Sequence, residues 1–147
     1  MKTRKVNRYY CDFCKKTGGS KFHMEKHERG CTKNPNRVCG ICNKMEYTQQ
    51  PMTKLIEVVG DVKQYEVSNG LHDGMIDTGT WFSEDLINAM IPKLRDATEN
   101  CPMCMLAALR QSGIPVPAAT AFNYKNELQG IWNEINDERA ERDRNYN

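Results

Sequence analysis

The sequence predicts an α+β fold, mostly helical, with a core smaller than the average for its length. Three observations carry this prediction. Apolar residues recur at helical intervals, giving expected buried faces at Leu86, Ile87, Met90, Ile91 and Leu94, and again at Leu128, Ile131, Trp132 and Ile135. β-Branched residues gather between Lys54 and Val67. Cysteines stand in C-x2-C pairs at Cys11/Cys14, Cys39/Cys42 and Cys101/Cys104. With 39% hydrophobic and 27% charged residues over 147 positions, the chain reads as one domain, or a small module joined to a modest one. The expected division is a module over 1–38 and a body over 39–147.

Taken in order, Met1 to Arg8 is a basic arm, expected to be flexible. Ser20 is placed to cap a helix over Lys21 to Arg29, with Gly30 near its end. Residues 43–50 are polar and read as loop. The run LIEVVGDVKQYEV has two readings. Ile56, Val58, Val59, Val62 and Val67, divided by Gly60-Asp61, favour a hairpin, whereas Leu55, Val58, Val59 and Val62 also mark one helical face. The hairpin is preferred. Gly70, Gly74 and Gly79 make Ser68 to Thr80 a loop.

Ser83, followed by Glu84 and Asp85, starts a helix, because carboxylates favour the positive end of the helix dipole. Pro92 is expected to kink or divide it. The next helix begins near Pro102 and stops at Gly113. An extended IPVP segment leads to a last helix from about Asn123. It ends in the charged tail DERAERDRNYN, where Glu138 and Arg142 stand at i,i+4.

The cysteine spacing points to metal. Cys11 and Cys14 form a tight knuckle, and His27 and Cys31 follow at i,i+4, one above the other on a helix. The alternative is a set of unrelated thiols in a reducing compartment. Cys39, Cys42, Cys101 and Cys104 remain, and would complete a second tetrahedral site with no cysteine left over. This pairing makes residues 43–100 an insertion clamped at both ends, longer than in an ordinary four-cysteine ribbon. The rival for CPMC is a redox dithiol at a helix N-terminus. It lacks a βαβ context, and Asn100 precedes it where the thioredoxin-like motif carries an aromatic. Two Zn2+ ions are therefore expected, both structural, since a closed site leaves no position for catalytic water.

Residues 9–31 resemble the two-cysteine, two-histidine zinc-finger family, in the variant with three cysteines and one histidine. Tyr9 and Met24 stand where that family places core residues, and TKNPNRV matches the length of its inter-finger linker. The family's central aromatic falls at Gly18, leaving Phe22 as the candidate to fill the gap. No second finger follows Cys39 and Cys42. The stretch HERGC-TKNPNRVCGIC also resembles small bacteriophage zinc-finger proteins. The resemblance completes the expected fold class: a small zinc-stabilised α+β protein with an N-terminal zinc finger and a helical body.

Charge is divided unevenly. Residues 1–45 carry 12 Lys and Arg against 3 Asp and Glu, a charge of +9, and the remainder carries −7. A basic front suggests a polyanionic partner, although the halves would equally neutralise one another. In the finger family, the helix positions facing bases would be Ser20, His23 and Lys26. Phosphate contacts would come from Lys15, Lys16, Lys21 and Arg29, and from Lys2, Arg4, Lys5 and Arg8 of the arm.

The expected function is zinc-dependent nucleic-acid binding, DNA ahead of RNA, of a regulatory kind. A zinc-stapled adaptor docking a protein through the acidic body is the alternative, and a thiol redox protein the second. No apolar run suits a membrane span or secretory signal, so the expected location is intracellular, cytoplasmic or with the chromosome. No catalytic constellation or small-molecule site is discernible, so no enzymatic activity is expected. His72, alone in a loop, is assigned no role.

Overall fold

A computed structural model describes residues 1–67 and 81–146. The front of the chain is a ββα unit. Strands β1 (Tyr9–Tyr10) and β2 (Thr17–Gly18) pair antiparallel, and helix α1 (Lys21–Gly30) follows. Ser20 caps α1 as the sequence predicts, its Oγ accepting from the His23 amide at 3.3 Å. Cys31 lies one residue past the helix, as its C-cap, with its amide donating to the Glu28 carbonyl.

The body is built from helices α2 (Gly40–Lys44), α3 (Met52–Val59), α4 (Glu84–Thr98), α5 (Pro102–Ser112) and α6 (Tyr124–Asn145). Single 3-10 turns span Val62–Tyr65 and Val116–Ala118. Strands β3 (Glu66–Val67) and β4 (Trp81–Phe82) pair antiparallel. The expected loop at Ser68 to Thr80, with its glycines and His72, lies outside the described residues. Among the described residues, no helix is long and apolar enough to cross a membrane.

The hairpin expected over Lys54 to Val67 is not formed. The first half of that run belongs to α3, which buries Met52, Leu55 and Val59, spaced by three and four. Gly60 ends α3 at φ 81, ψ −168, a region open essentially to glycine alone. It is a helix stop, not a turn between strands. Tyr65 then folds back, and its buried hydroxyl donates to the Val59 carbonyl.

Helix α5 is the axis of the body. Met105, Leu106, Ala107, Ala108 and Leu109 are all buried, and a helix apolar on every side belongs in a core. Helices α3, α4 and α6 pack around it. In α4, Ile87, Met90, Ile91 and Leu94 face the core, but Leu86 is exposed. Pro92 does not divide α4, which continues to Thr98.

On α6, Ile135 is buried, Leu128 and Ile131 pack half-buried on the core, and Trp132 is 37% exposed rather than buried. The expected tail is helical to Asn145, and among the described residues Glu138 and Arg142 form no ion pair. Helices α4 and α6 are tied by Arg95, which donates to both Glu127 oxygens at 2.9 and 2.7 Å. The guanidinium also reaches the Ala121 carbonyl and lies over the Phe122 ring.

Candidate metal centres

The first centre sits between the hairpin and α1. Cys11 and Cys14 lie in the turn joining β1 to β2, which is closed by the Cys11 amide on the Lys16 carbonyl at 3.0 Å. Amides of Phe13 and Lys16 donate to the Cys11 and Cys14 sulfurs, each at 3.4 Å. These bonds orient both sulfurs as acceptors, the role a thiolate needs. His27 Nε2 lies 3.2 Å from Cys14 Sγ, and one ligand atom from each of Cys11, Cys14, His27 and Cys31 falls within 4.8 Å of the others.

Burial pushes the His27 imidazole below its ordinary pKa, with the Lys16 charge adding to the effect. This favours the neutral ring that ligates metal. Burial opposes ionisation of Cys14, but the Lys16 amide and the neighbouring thiols Cys11 and Cys31 bring it below its ordinary value. Burial pushes Cys31 up.

The second centre joins two knuckles of the same local geometry. Cys39 is the N-cap of α2 and Cys101 the N-cap of α5, with φ, ψ of −84, 116 and −67, 111. In each knuckle the second cysteine, Cys42 or Cys104, is the third residue of the helix. Cys39 Sγ and Cys101 Sγ are 3.6 Å apart, and Cys42 Sγ and Cys104 Sγ are 3.4 Å apart. The four sulfurs lie within 4.8 Å of one another, all buried. None of the seven cysteines is in a disulfide. A tetrahedron with metal–sulfur bonds of about 2.3 Å sets its sulfurs about 3.8 Å apart. The two measured separations are close to that spacing, and the donor set could hold a tetrahedral ion.

The electrostatics point the same way. Hydrogen bonds with Cys101 push the Cys39 and Cys104 thiols down and the Cys42 thiol up, and Cys104 in turn pushes Cys101 up. Four crowded sulfurs cannot all ionise unaided, and a divalent cation supplies the missing charge.

Arg37, which sequence reasoning missed, lies beside them at 5% exposure. Its Nη1 donates to Cys104 Sγ at 3.4 Å, while its Nε is buried without a partner. Burial lowers its pKa, but the Cys39 and Cys104 charges outweigh this and raise it. Among the described residues no carboxylate pairs with Arg37, so the thiolates are its counter-charge.

Gln49 completes the surround, accepting from the Cys39 amide at 2.7 Å and donating to the Arg37 carbonyl at 2.8 Å. In sequence, Arg37 is one cation among the many of a basic segment, and only its burial distinguishes it.

The linker Thr32 to Val38 fixes one centre relative to the other. Arg110 donates to Thr32 Oγ1 at 2.9 Å, and Gln111 donates to the Thr32 and Asn34 carbonyls at 2.8 and 3.0 Å. The Val38 amide returns to the Arg29 carbonyl of α1 at 2.8 Å.

The cations assigned to a polyanion lie elsewhere, on the outer surface. Lys2, Arg4, Lys5, Arg8, Lys15, Lys16, Lys21, Lys26 and Arg29 are exposed, as is His23, while Ser20 is half-buried at the start of α1. Lys21 stands 3.8 Å from Glu25, and Arg8 donates to Thr17 Oγ1 at 3.0 Å. Phe22 is also on this surface, 69% exposed, so it does not fill the module's core. Met24 does so instead: its Cε lies 3.5 Å from where a Cβ at Gly18 would stand. Searches against protein families, curated proteins and solved structures return no match.

Proposed function

We propose that the chain is a zinc-dependent nucleic-acid-binding protein, of a regulatory kind, with two structural metal centres and DNA ahead of RNA as its partner. Zinc is favoured at both centres by soft thiolate and imidazole donors in closed four-ligand sets. Arg37, buried against the second set, supports an anionic thiolate centre. The observation that carries the nucleic-acid reading is the array of exposed cations from Lys2 to Arg29, borne by a module small enough to depend on its metal.

The test uses the full, zinc-loaded chain, titrated with labelled duplex DNA and with structured RNA at several salt concentrations. If about four to six phosphates are neutralised, log K against log salt falls with a slope near −4 to −5 on duplex DNA. Removal of Met1 to Arg8 flattens the slope and weakens binding to every sequence alike. Absence of binding at low salt to every nucleic acid offered would overturn the reading.

One observation favours the adaptor as a second reading. A hollow of about 270 Å3, lined by Ile41, Lys44, Met103, Leu128 and Trp132 among others, opens at the junction of module and body. Lys44 Nζ stands 5.2 Å over the half-exposed Trp132 ring. Such an aromatic at the mouth of an apolar hollow suits a protein contact. Trp132→Ala separates the readings, since it would abolish capture of a protein partner and leave nucleic-acid affinity unchanged. The redox alternative is disfavoured: Cys101 and Cys104 are 0% and 2% exposed, their sulfurs directed at Cys39 and Cys42.

A further inference from the structure

Phe22 is the second residue of α1, between two positions that would face bases, Ser20 and His23, and it is left almost free in solvent. Its ring lies beside that of His23, with centroids 5.6 Å apart and planes at 68°. Met24 already fills the module's core, so the fold gives Phe22 no packing role.

Three residues before it, Gly19 borders a cleft of about 590 Å3 between the arm residues Arg4 to Arg8, with Tyr9 of β1, and the glycines Gly18 and Gly19. Arg8 is anchored on Thr17, whereas Arg4 and Lys5 pair with no carboxylate among the described residues. A Cβ at Gly19 would meet nothing within 4 Å, so the backbone there is open to a ligand's approach. Three Cα–Cα steps span at most about 11 Å, which sets the cationic cleft and the exposed ring close together.

We propose that this surface binds single-stranded nucleic acid, with a phosphate in the arm cleft and an unpaired base stacked on Phe22. The inference rests on the nucleic-acid reading above and narrows it. A base within a duplex has both faces covered by its neighbours, and its edges are read by hydrogen bonds that a phenyl ring cannot make; the thymine methyl is the only edge group suited to it. An unpaired base offers its whole face, and aromatic stacking beside cations is the recurring means of holding it. His23, its ring centroid 5.6 Å from that of Phe22, puts a hydrogen-bonding group beside the same site.

The test measures binding of the zinc-loaded full chain to labelled single-stranded DNA, single-stranded RNA and duplex DNA of matched sequence, at fixed low salt. Phe22→Ala, Phe22→Trp and an oligomer with an abasic position are the variants. The expected result is tighter binding to a single strand than to the duplex. Phe22→Ala then weakens single-strand binding about five- to a hundred-fold and changes duplex binding less than about twofold. Phe22→Trp retains the affinity and adds a fluorescence that single-stranded ligand quenches. Whether DNA or RNA is held more tightly names the source of the strand.

Tighter binding to duplex, or an equal effect of Phe22→Ala on both forms, overturns this inference while the broader reading stands. Binding to none of the three overturns both. Because Phe22 lies outside the core, loss of fold is not expected in either variant, and retention of both metals verifies this.

Discussion

Arg37 is the buried positive group that opposes the second centre's charge. A four-thiolate set around a divalent ion carries two net negative charges, and the buried guanidinium is a positive group held directly against it. Replacement by Met keeps much of the volume but removes that charge and the donor to Cys104. Outer partners of this kind change metal affinity by about 10- to 100-fold, so Arg37→Met should speed loss of one of two metals to a chelator. Arg37→Lys should fall between, because an ammonium keeps the charge but not the planar fork. Equal release rates in all three proteins would remove Arg37 from this role.

A second prediction concerns Arg95. Its two bonds to Glu127 are well formed, but both side chains are about a quarter exposed, so solvent screening limits their worth. Glu127→Gln should cost about 1 kcal/mol, seen as a lower denaturation midpoint with both metals kept. An unchanged midpoint would mean that the charge of Glu127 adds nothing to the tie between α4 and α6.

Among the elements, helix ends were the more legible part of the sequence, and single buried faces the less. Ser20, Ser83, Pro102, Gly113 and Asn123 each mark a boundary correctly, because capping is a local hydrogen-bonding matter settled within a few residues. The run over α3 was misread because its β-branched residues suit a strand. Its apolar residues pack on α5 and α4, and that tertiary burial overrides local preference. Leu86 and Trp132 were misplaced for a related reason: periodicity marks a face, while its width depends on neighbours that a sequence does not show.

Gly60 is the hinge of this misreading, and it yields the third prediction. An Ala there would adopt a region foreign to L residues, and its Cβ would displace the end of the Gln64 side chain, which now donates to the Val59 carbonyl. Gly60→Ala should destabilise the metal-loaded protein by about 1–3 kcal/mol. A midpoint equal to that of the wild type would show that Gly60 is replaceable.

At the scale of the whole molecule, the two ligand sets were legible because metal chemistry constrains spacing and donor type more tightly than packing constrains side chains. The split second set emerged by exhaustion, four cysteines remaining for four places, and the structure brings all four sulfurs together. The surrounding shell was not legible, since nothing in the spacing distinguishes Arg37 or Gln49 from their neighbours.

The fourth prediction is stoichiometric. Purified protein should contain two zinc ions, and Cys101→Ser with Cys104→Ser should leave one. The front module should stay folded in that variant, while the contacts of Thr32 and Asn34 with α5 loosen. Two metals retained after the double substitution would exclude Cys101 and Cys104 as ligands.

The knuckles of the second centre are 62 positions apart along the chain, whereas in the first centre Cys14 and His27 are separated by 13. On the ribosome this difference becomes one of time. The front module has every ligand it needs once Cys31 has emerged, and it can load its ion at once. Cys39 and Cys42 must wait for Cys101 and Cys104, roughly three to twelve seconds at ordinary synthesis rates. For that interval the growing chain displays half a site, two thiols without their partners. A nascent chain stalled before residue 101 should therefore carry one zinc and two reactive thiols, and scarcity of zinc during synthesis should strand the body before it strands the front.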